Sequence, residues 1–210
     1  ISTAVDVPTI TEDSIAPVAP AVTTPATATV VSGVVQQVTG THAEDGVTVE
    51  LLADTDNDGA ADNSTVLASA EVGAVVTGTW SIDVTLTANT ANNFVVIAKD
   101  KAANASAAVD VPTITEDSTA PVVTVAPLAT ADSTPALSGT VDDTTATLSL
   151  VVNGQTYTPS NNGGGSWALA DNQIAALPDG VYDVVVTATD TQGNIGNDAT
   201  GNELTIDLLP

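Results

Sequence analysis

The sequence holds no cysteine and no methionine, and it spreads two basic residues, one histidine and five aromatic rings over 210 positions. Each shortage removes a class of function. Without cysteine there is no disulfide framework, no thiolate metal site and no thiol nucleophile. A lone His42 cannot build a histidine metal cluster. With 26 acids against two bases the formal charge is −24, which repels phosphate backbones and anionic headgroups. Nucleic acid and direct membrane contact are therefore excluded as partners. No apolar run approaches the ~18 residues that a spanning helix needs. Residues 1–6 lack the basic-then-apolar pattern of a secretory signal. That absence fits either export without an N-terminal signal or a piece taken from a longer chain. What is present points the other way from disorder. Apolar residues make up 43% of the chain, and the mean hydropathy is +0.24, so cores can form. Ala, Val and Thr dominate, and Val and Thr lose rotamer freedom in a helix but not in a pleated strand. The fold class expected is all-β. The acid excess calls for a counter-charge that Lys and Arg do not supply, and a divalent cation is the natural candidate.

The strongest signal is an internal repeat. Residues 4–14 read AVDVPTITEDS and residues 108–118 read the same eleven letters, a period of 104. Ala16-Pro17-Val18 returns as Ala120-Pro121-Val122, and Thr79-Trp80 as Ser166-Trp167. Ser32-Gly33 is matched with Ser138-Gly139, and the run 94–104 with 184–194. A period of this length is too long for a solenoid turn but suits a whole sandwich domain. VDVPTIT alternates like a half-buried strand, so Val109–Thr115 closes one copy and Pro121 opens the next. The expected layout is a last strand of a preceding repeat over 1–11, one repeat over 12–118 and a second over 119–210. Strands are expected at 28–38, 47–53, 65–72, 79–87, 93–99 and 106–115, with Glu203–Asp207 closing the second repeat. Asp45-Gly46, Asp58-Gly59 and Asp179-Gly180 mark turns, and Asn153-Gly154 marks a type I′ hairpin. About seven short strands per repeat make an Ig-like Greek-key sandwich. Two such domains would stand end to end. Trp80 and Trp167 are expected inside as core plugs.

The pattern SGTV, GSW, YDVVVTATDTQGN and LTID, joined by TITEDSTAPVV, resembles the bacterial Ig-like repeats of giant RTX-type adhesins. The resemblance covers nearly the whole chain. It implies an extender region whose serial domains hold a terminal ligand-binding domain away from the bacterial surface. It also implies type I secretion, an extracellular location, a part in biofilm formation and calcium bound between repeats. Lys99 to Asn104 departs from the Gly-Asn ending seen at Gly193-Asn194. The partners implied are neighbouring repeats of the same chain, with the fragment itself monomeric.

Two kinds of cation site follow from the residues. Asp54, Asp56 and Asp58 alternate before Gly59, with Ala60 and Asp62 beyond, which is how a calcium loop points several oxygens at one ion. Thr65 stands where an EF-hand needs its bidentate acid, so a hairpin-loop site is expected rather than an EF-hand. The second kind comes from topology. In an Ig sandwich the B–C and F–G loops lie at the end where the preceding domain enters. In the second repeat these loops carry Asp142-Asp143 and Asp190 with Asn194, and the linker carries Glu116-Asp117. In the first repeat the corresponding set is Glu12-Asp13, Glu44-Asp45 and Asp100. Converging acids repel unless a divalent ion joins them.

Catalysis finds little footing. A Ser-His-Asp triad would have to use His42, read here as a surface-loop histidine without a nucleophile-elbow sequence. A glycosidase needs an aromatic floor, and all five rings are spaced like core residues. A loop-binding module that grips a glycan or protein through Asn161-Asn162-Gly163-Gly164-Gly165 is the competing function. That stretch lacks the Trp, Tyr and Arg that anchor interfaces.

Overall fold

The computed structural model describes residues 12–74, 76 and 78–208, so the reading of 1–11 as a strand lies outside the described residues. No α-helix occurs among them. The chain divides between Glu116 and Asp117 into two units.

The first unit contains β1 (Ala21–Thr24), β2 (Thr29–Val31), β3 (Val35–Thr41), β4 (Thr48–Ala53), β5 (Val66–Glu71), β6 (Thr79–Thr85), β7 (Ala91–Lys99) and β8 (Val109–Glu116). They form a three-stranded sheet, β1-β3-β6, and a five-stranded sheet, β2-β8-β7-β4-β5. Alternation does the sorting. In β6, Trp80, Ile82 and Val84 are buried while Ser81, Asp83 and Thr85 face out. Val38, Val49, Leu51, Val96, Val111 and Ile114 lie in the same core.

The run expected at 28–38 is two strands. Gly33 separates β2, which pairs in parallel with β8, from β3, which pairs with β6 in the other sheet. β1 was not expected, because Pro20 and Pro25 flank it and read as loop. It is an edge strand, where proline costs least. Pro112 is tolerated inside β8 for a related reason. The β7–β8 register shifts between Asn92 and Phe94, so Pro112 falls at a bulge, where its missing N–H breaks no ladder bond.

The second unit contains β9 (Val123–Val125), β10 (Leu128–Thr130), β11 (Leu137–Val141), β12 (Thr147–Val152), β13 (Gln155–Tyr157), β14 (Ser160–Asn161), β15 (Ser166–Leu169), β16 (Gly180–Tyr182), β17 (Val184–Thr189), β18 (Ile195–Asn197) and β19 (Leu204–Ile206). One sheet runs β14-β15-β11-β9. The strands opposite split into β13-β12-β17-β18 and β10-β19-β16. Leu150, Val186, Leu204 and Trp167 sit in its core. Asn153 and Gly154 take φ of 48° and 75°, the left-handed pair that a two-residue I′ turn requires between β12 and β13.

Both tryptophans are buried, Trp80 at 3% and Trp167 at 1% exposure. Trp80 pairs across the ladder with Gly40, and Trp167 with Gly139. The structural counterpart of Gly139 is therefore Gly40, not the Gly33 matched from sequence. What the repeat preserves is the space under the indole, not the Ser-Gly dipeptide. Phe94 is buried, and Tyr157 and Tyr182 pack half-buried on the second core.

Candidate functional site

Asp54 follows β4 and is fully buried. Its Oδ1 accepts the Asp58 N–H at 3.1 Å and its Oδ2 the Gly59 N–H at 3.0 Å. Asn57 and Gly59, at φ 56° and 83°, turn the chain back over this carboxylate. As a result one carboxylate oxygen from each of Asp54, Asp56 and Asp58 lies within 4.8 Å of the others. The neighbouring charge of Asp58, then burial and the Asp62 charge, push the Asp56 carboxyl above its usual range. Asp62 is engaged elsewhere. Its Oδ2 accepts the Thr55 hydroxyl at 2.6 Å and the Thr55 N–H at 2.9 Å, which hold it below the carboxylate range. The Ala60 N–H is spent on Asp58 Oδ1 at 2.8 Å. Three hard oxygen donors crowded by their own repulsion fit a calcium-class ion, which prefers oxygen ligands.

The second unit carries an acidic recess of about 420 Å³ lined by Asp117, Asp142, Asp143 and Asp190, with Thr145 and Gln192. Asp190 organises it. Its Oδ1 accepts the N–H groups of Gln192 and Asn194, and its Oδ2 the Asn194 side-chain amide, each at 2.8 Å. That amide also donates to the Asp117 carbonyl at 3.0 Å, tying the start of the unit to the β17–β18 turn. Burial works against ionisation of Asp190, but the Asn194 amide and the N–H groups of Asn194, Gln192 and Gly193 outweigh it and hold the carboxyl low. Asp142 Oδ1 accepts the Val122 N–H, and Asp143 Oδ1 the Thr145 N–H and hydroxyl.

The first unit repeats this arrangement. Asp13, Glu44 and Asp100 line a recess with Ile15, Ala16 and Pro17. Asp100 accepts the N–H groups of Ala102 and Asn104 and the Asn104 amide, and that amide donates to the Asp13 carbonyl at 3.0 Å. The Asn104 amide is the main reason the Asp100 carboxyl is held low, against burial. Asp13 accepts the Ile15 N–H as Asp117 accepts the Thr119 N–H. The unusual Lys99–Asn104 sequence thus keeps the turn but strains it. Ala103 stands at φ 67° where Gly193 stands at 89°. A left-handed alanine costs roughly 1–2 kcal/mol, partly offset by the entropy a glycine loses on folding. Ala103→Gly is therefore expected to stabilise the first unit by about 0.5–1 kcal/mol, or a few degrees by calorimetry. An unchanged or lower melting temperature would contradict this reading of the turn.

Not every acid expected at these sites converges. Asp45 Oδ1 turns to the Gly78 N–H at 2.8 Å, leaving Glu44 to face the recess. Glu12 is exposed and does not line it. Glu116 belongs to the first unit, where its Oε2 accepts the Asn89 N–H at 2.7 Å. His42 is not on the surface. It is 6% exposed, its Nε2 donates to the Val18 carbonyl at 2.9 Å, and its Nδ1 accepts the Glu44 N–H at 3.0 Å. The ring is a structural clamp on the loop that presents Glu44.

Residues 124–208 match the family model of the bacterial Ig-like domain. No curated protein matches the sequence. Among solved structures, the chain is similar to a Ca2+-stabilized adhesin that helps an Antarctic bacterium reach out and bind ice. The identity is 27% over 93% of this chain and 50% of that one, with a TM-score of 0.48. It is also similar to a tetra-tandem repeat in the extending region of a large adhesion protein, at 21% identity over 90% and 50% of the two chains and a TM-score of 0.39. A third likeness is to fibronectin(III)-like modules of CbhA from Clostridium thermocellum, at 13% identity, 90% and 94% coverage and a TM-score of 0.42. The chain spans about half the length of the two adhesin structures. The second unit is thus a match to the bacterial Ig-like domain family, within an all-β chain whose two units share one sandwich plan.

Proposed function

We propose that the chain is part of the extender region of a bacterial surface adhesin. Its serial sandwiches project a distal ligand-binding domain for cell adhesion and biofilm formation, and calcium at loops and linkers stiffens them. One observation carries the reading: the same acidic recess, with the same Asn-to-carbonyl tie, recurs at Asp13–Asp100–Asn104 and at Asp117–Asp190–Asn194. A repeated anchoring point at the start of each unit is what a serial array needs and what a single binding loop does not. The residues suit the ion, since every donor is a hard oxygen and like charges converge. Asp13, Glu44 and Asp100 would hold it in the first unit, and Asp117, Asp142, Asp143 and Asp190 in the second. The ion supplies positive charge and ligand bonds, not catalysis. Asp117 follows the last residue of the first unit directly, so fixing its carboxylate restrains the peptide between the units.

The protein would act outside the cell, on the bacterial surface, with neighbouring repeats of its own chain as partners. At ~3.3 Å rise the nine residues of β7 span about 30 Å, which sets the reach of the first sandwich. Extracellular calcium modules bind at about 10⁻⁴–10⁻³ M, so the array would be stiff outside and slack in a low-calcium cytoplasm. Small-angle scattering in calcium and in chelator tests this. A larger maximum dimension with calcium is expected, and identical curves would sink the proposal.

A further inference from the structure

The two units share one register around a short segment and differ there in charge. In the first, Asn92 pairs with Ile114 and Phe94 with Val111. In the second, Tyr182 pairs with Leu204. Asn93 and Thr113 therefore correspond to Asp183 and Glu203. The first unit closes this place with a neutral bond, Thr113 Oγ1 donating to Asn93 Oδ1 at 2.8 Å, and β7 runs through it with a bulge. The second unit places two carboxylic acids there, at the interruption between β16 and β17.

Glu203 is 5% exposed. Its Oε2 accepts the Val184 N–H at 3.1 Å, but its Oε1 is buried with no hydrogen-bond partner among the described residues. The Asp183 carboxyl lies against it and over Gly201, where an added Cβ would come 3.3 Å from Asp183 Oδ1. Thr200 Oγ1 donates to Asp198 Oδ2 at 2.8 Å and also lies beside the Glu203 carboxyl. No ammonium comes from this unit, because Lys99 and Lys101, the chain's only bases, belong to the first. Burial pushes the Glu203 carboxyl up, yet the Val184 N–H, with the Thr200 hydroxyl, its own N–H and the Asp183 carboxyl, holds it below its usual range. A buried carboxylate oxygen facing a second carboxylate lacks a positive partner, and leaving it so is costly.

We propose that Glu203 Oε1 and the Asp183 carboxylate bind a hard divalent cation of the calcium class. The site is separate from the Asp54 loop, which lies in the other unit. It is also separate from the Asp190 recess, at the far end of β17, six residues or roughly 20 Å along the strand. Two carboxylates leave room for backbone carbonyls and water in a six- to eight-oxygen shell.

Native mass spectrometry of the whole fragment, titrated with calcium alone, counts the ions. The double variant Glu203→Thr/Asp183→Asn installs the first unit's neutral pair. It is expected to bind one ion fewer and, in chelator, to melt higher in the second unit because the buried, unpartnered Glu203 oxygen is gone. A count equal to wild type overturns the site, and a pair that shares a proton would give that result. Asp142→Asn/Asp190→Asn provides the separation from the extender reading. That variant should lose the recess ion and the calcium-dependent lengthening while keeping the Glu203 ion. If it keeps the lengthening, the extender reading fails and this site stands.

Discussion

Replacing Gly139 by alanine is expected to unfold the second unit while the first stays folded. A Cβ at Gly139 would overlap the Thr124 carbonyl oxygen and approach Trp167 Nε1 to 2.6 Å. Neither neighbour can yield. Thr124 pairs with Thr140 in the β9–β11 ladder, and its carbonyl also accepts the Trp167 indole N–H at 2.8 Å. Trp167 is enclosed by the core. Overpacking a core with room to relax costs about 1–3 kcal/mol. Here the obstacle is backbone on one side and a locked ring on the other, so the loss should exceed about 4 kcal/mol, a large part of a small domain's ~5–15 kcal/mol. Trp167→Ala removes the ring instead and should cost about 3–5 kcal/mol. The double variant should lose less than the two combined, because without the ring one of the two overlaps disappears. Gly40 meets the Ala21 carbonyl and the Trp80 ring in the same way, so Gly40→Ala should unfold the first unit selectively. Denaturant unfolding followed by indole fluorescence, with Trp80→Phe or Trp167→Phe to isolate each unit, provides the readout. A Gly139→Ala unit within about 1 kcal/mol of wild type would disprove this account of the core.

This glycine shows where sequence reading reaches and where it stops. The sandwich class was legible because its determinants are local: Val and Thr bias, period-two alternation, and turn pairs such as Asn153-Gly154. The partner of Trp80 was not legible. Gly33 sits in a Ser-Gly dipeptide that looks like the Ser138-Gly139 landmark, whereas Gly40 is defined only by which residue lies across the ladder. Proline misled in one place and not in another. It hid β1, an edge strand, yet the identical repeat around Pro112 revealed β8. For the acidic recesses, reasoning from loop positions gathered Asp13 and Asp100, and Asp117, Asp142, Asp143 and Asp190. It could not choose between Glu44 and Asp45, because neighbouring residues in a turn point different ways. His42 read as exposed for want of a visible partner, and its partner is a backbone carbonyl 24 residues away. Glu203 gave no signal at all. It and Asp183 are ordinary acids in sequence, and only the register of two strands makes them a pair.

Calcium is expected to raise the fragment's melting temperature by on the order of 10 °C, and Asp56→Asn should shrink that rise while stabilising the calcium-free form. An ion that binds only the folded state stabilises by RT ln(1 + [L]/Kd). With Kd of about 10⁻⁴–10⁻³ M and 10 mM calcium, each ion adds about 1.4–2.7 kcal/mol, at roughly 4–8 °C per kcal/mol for a domain of this size. The carboxyl shifts fix how acid acts. Asp100 and Asp190 are depressed in the fold, so the stability they contribute is present above the unfolded carboxylate value of about 3.9 and is lost as pH falls through their lower folded values. Asp100 and Asp190 therefore stay ionised in mildly acidic solution. Asp56 is raised, chiefly by Asp58, so its contribution has the opposite sign. Its protonated form favours the fold, and that contribution is lost as pH rises through the raised value. At neutral pH the loop carries this repulsion until an ion cancels it. Asp56→Asn removes the repulsion and one ligand together, so its two effects run in opposite directions. Calorimetry in chelator and in 10 mM calcium, at neutral pH and near pH 4.5, would show both. The calcium increment that depends on Asp56 should fade first on acidification, and that which depends on Asp100 and Asp190 later. An Asp56→Asn fragment that melts lower in chelator, or keeps the full calcium increment, would remove Asp56 from the ligand set.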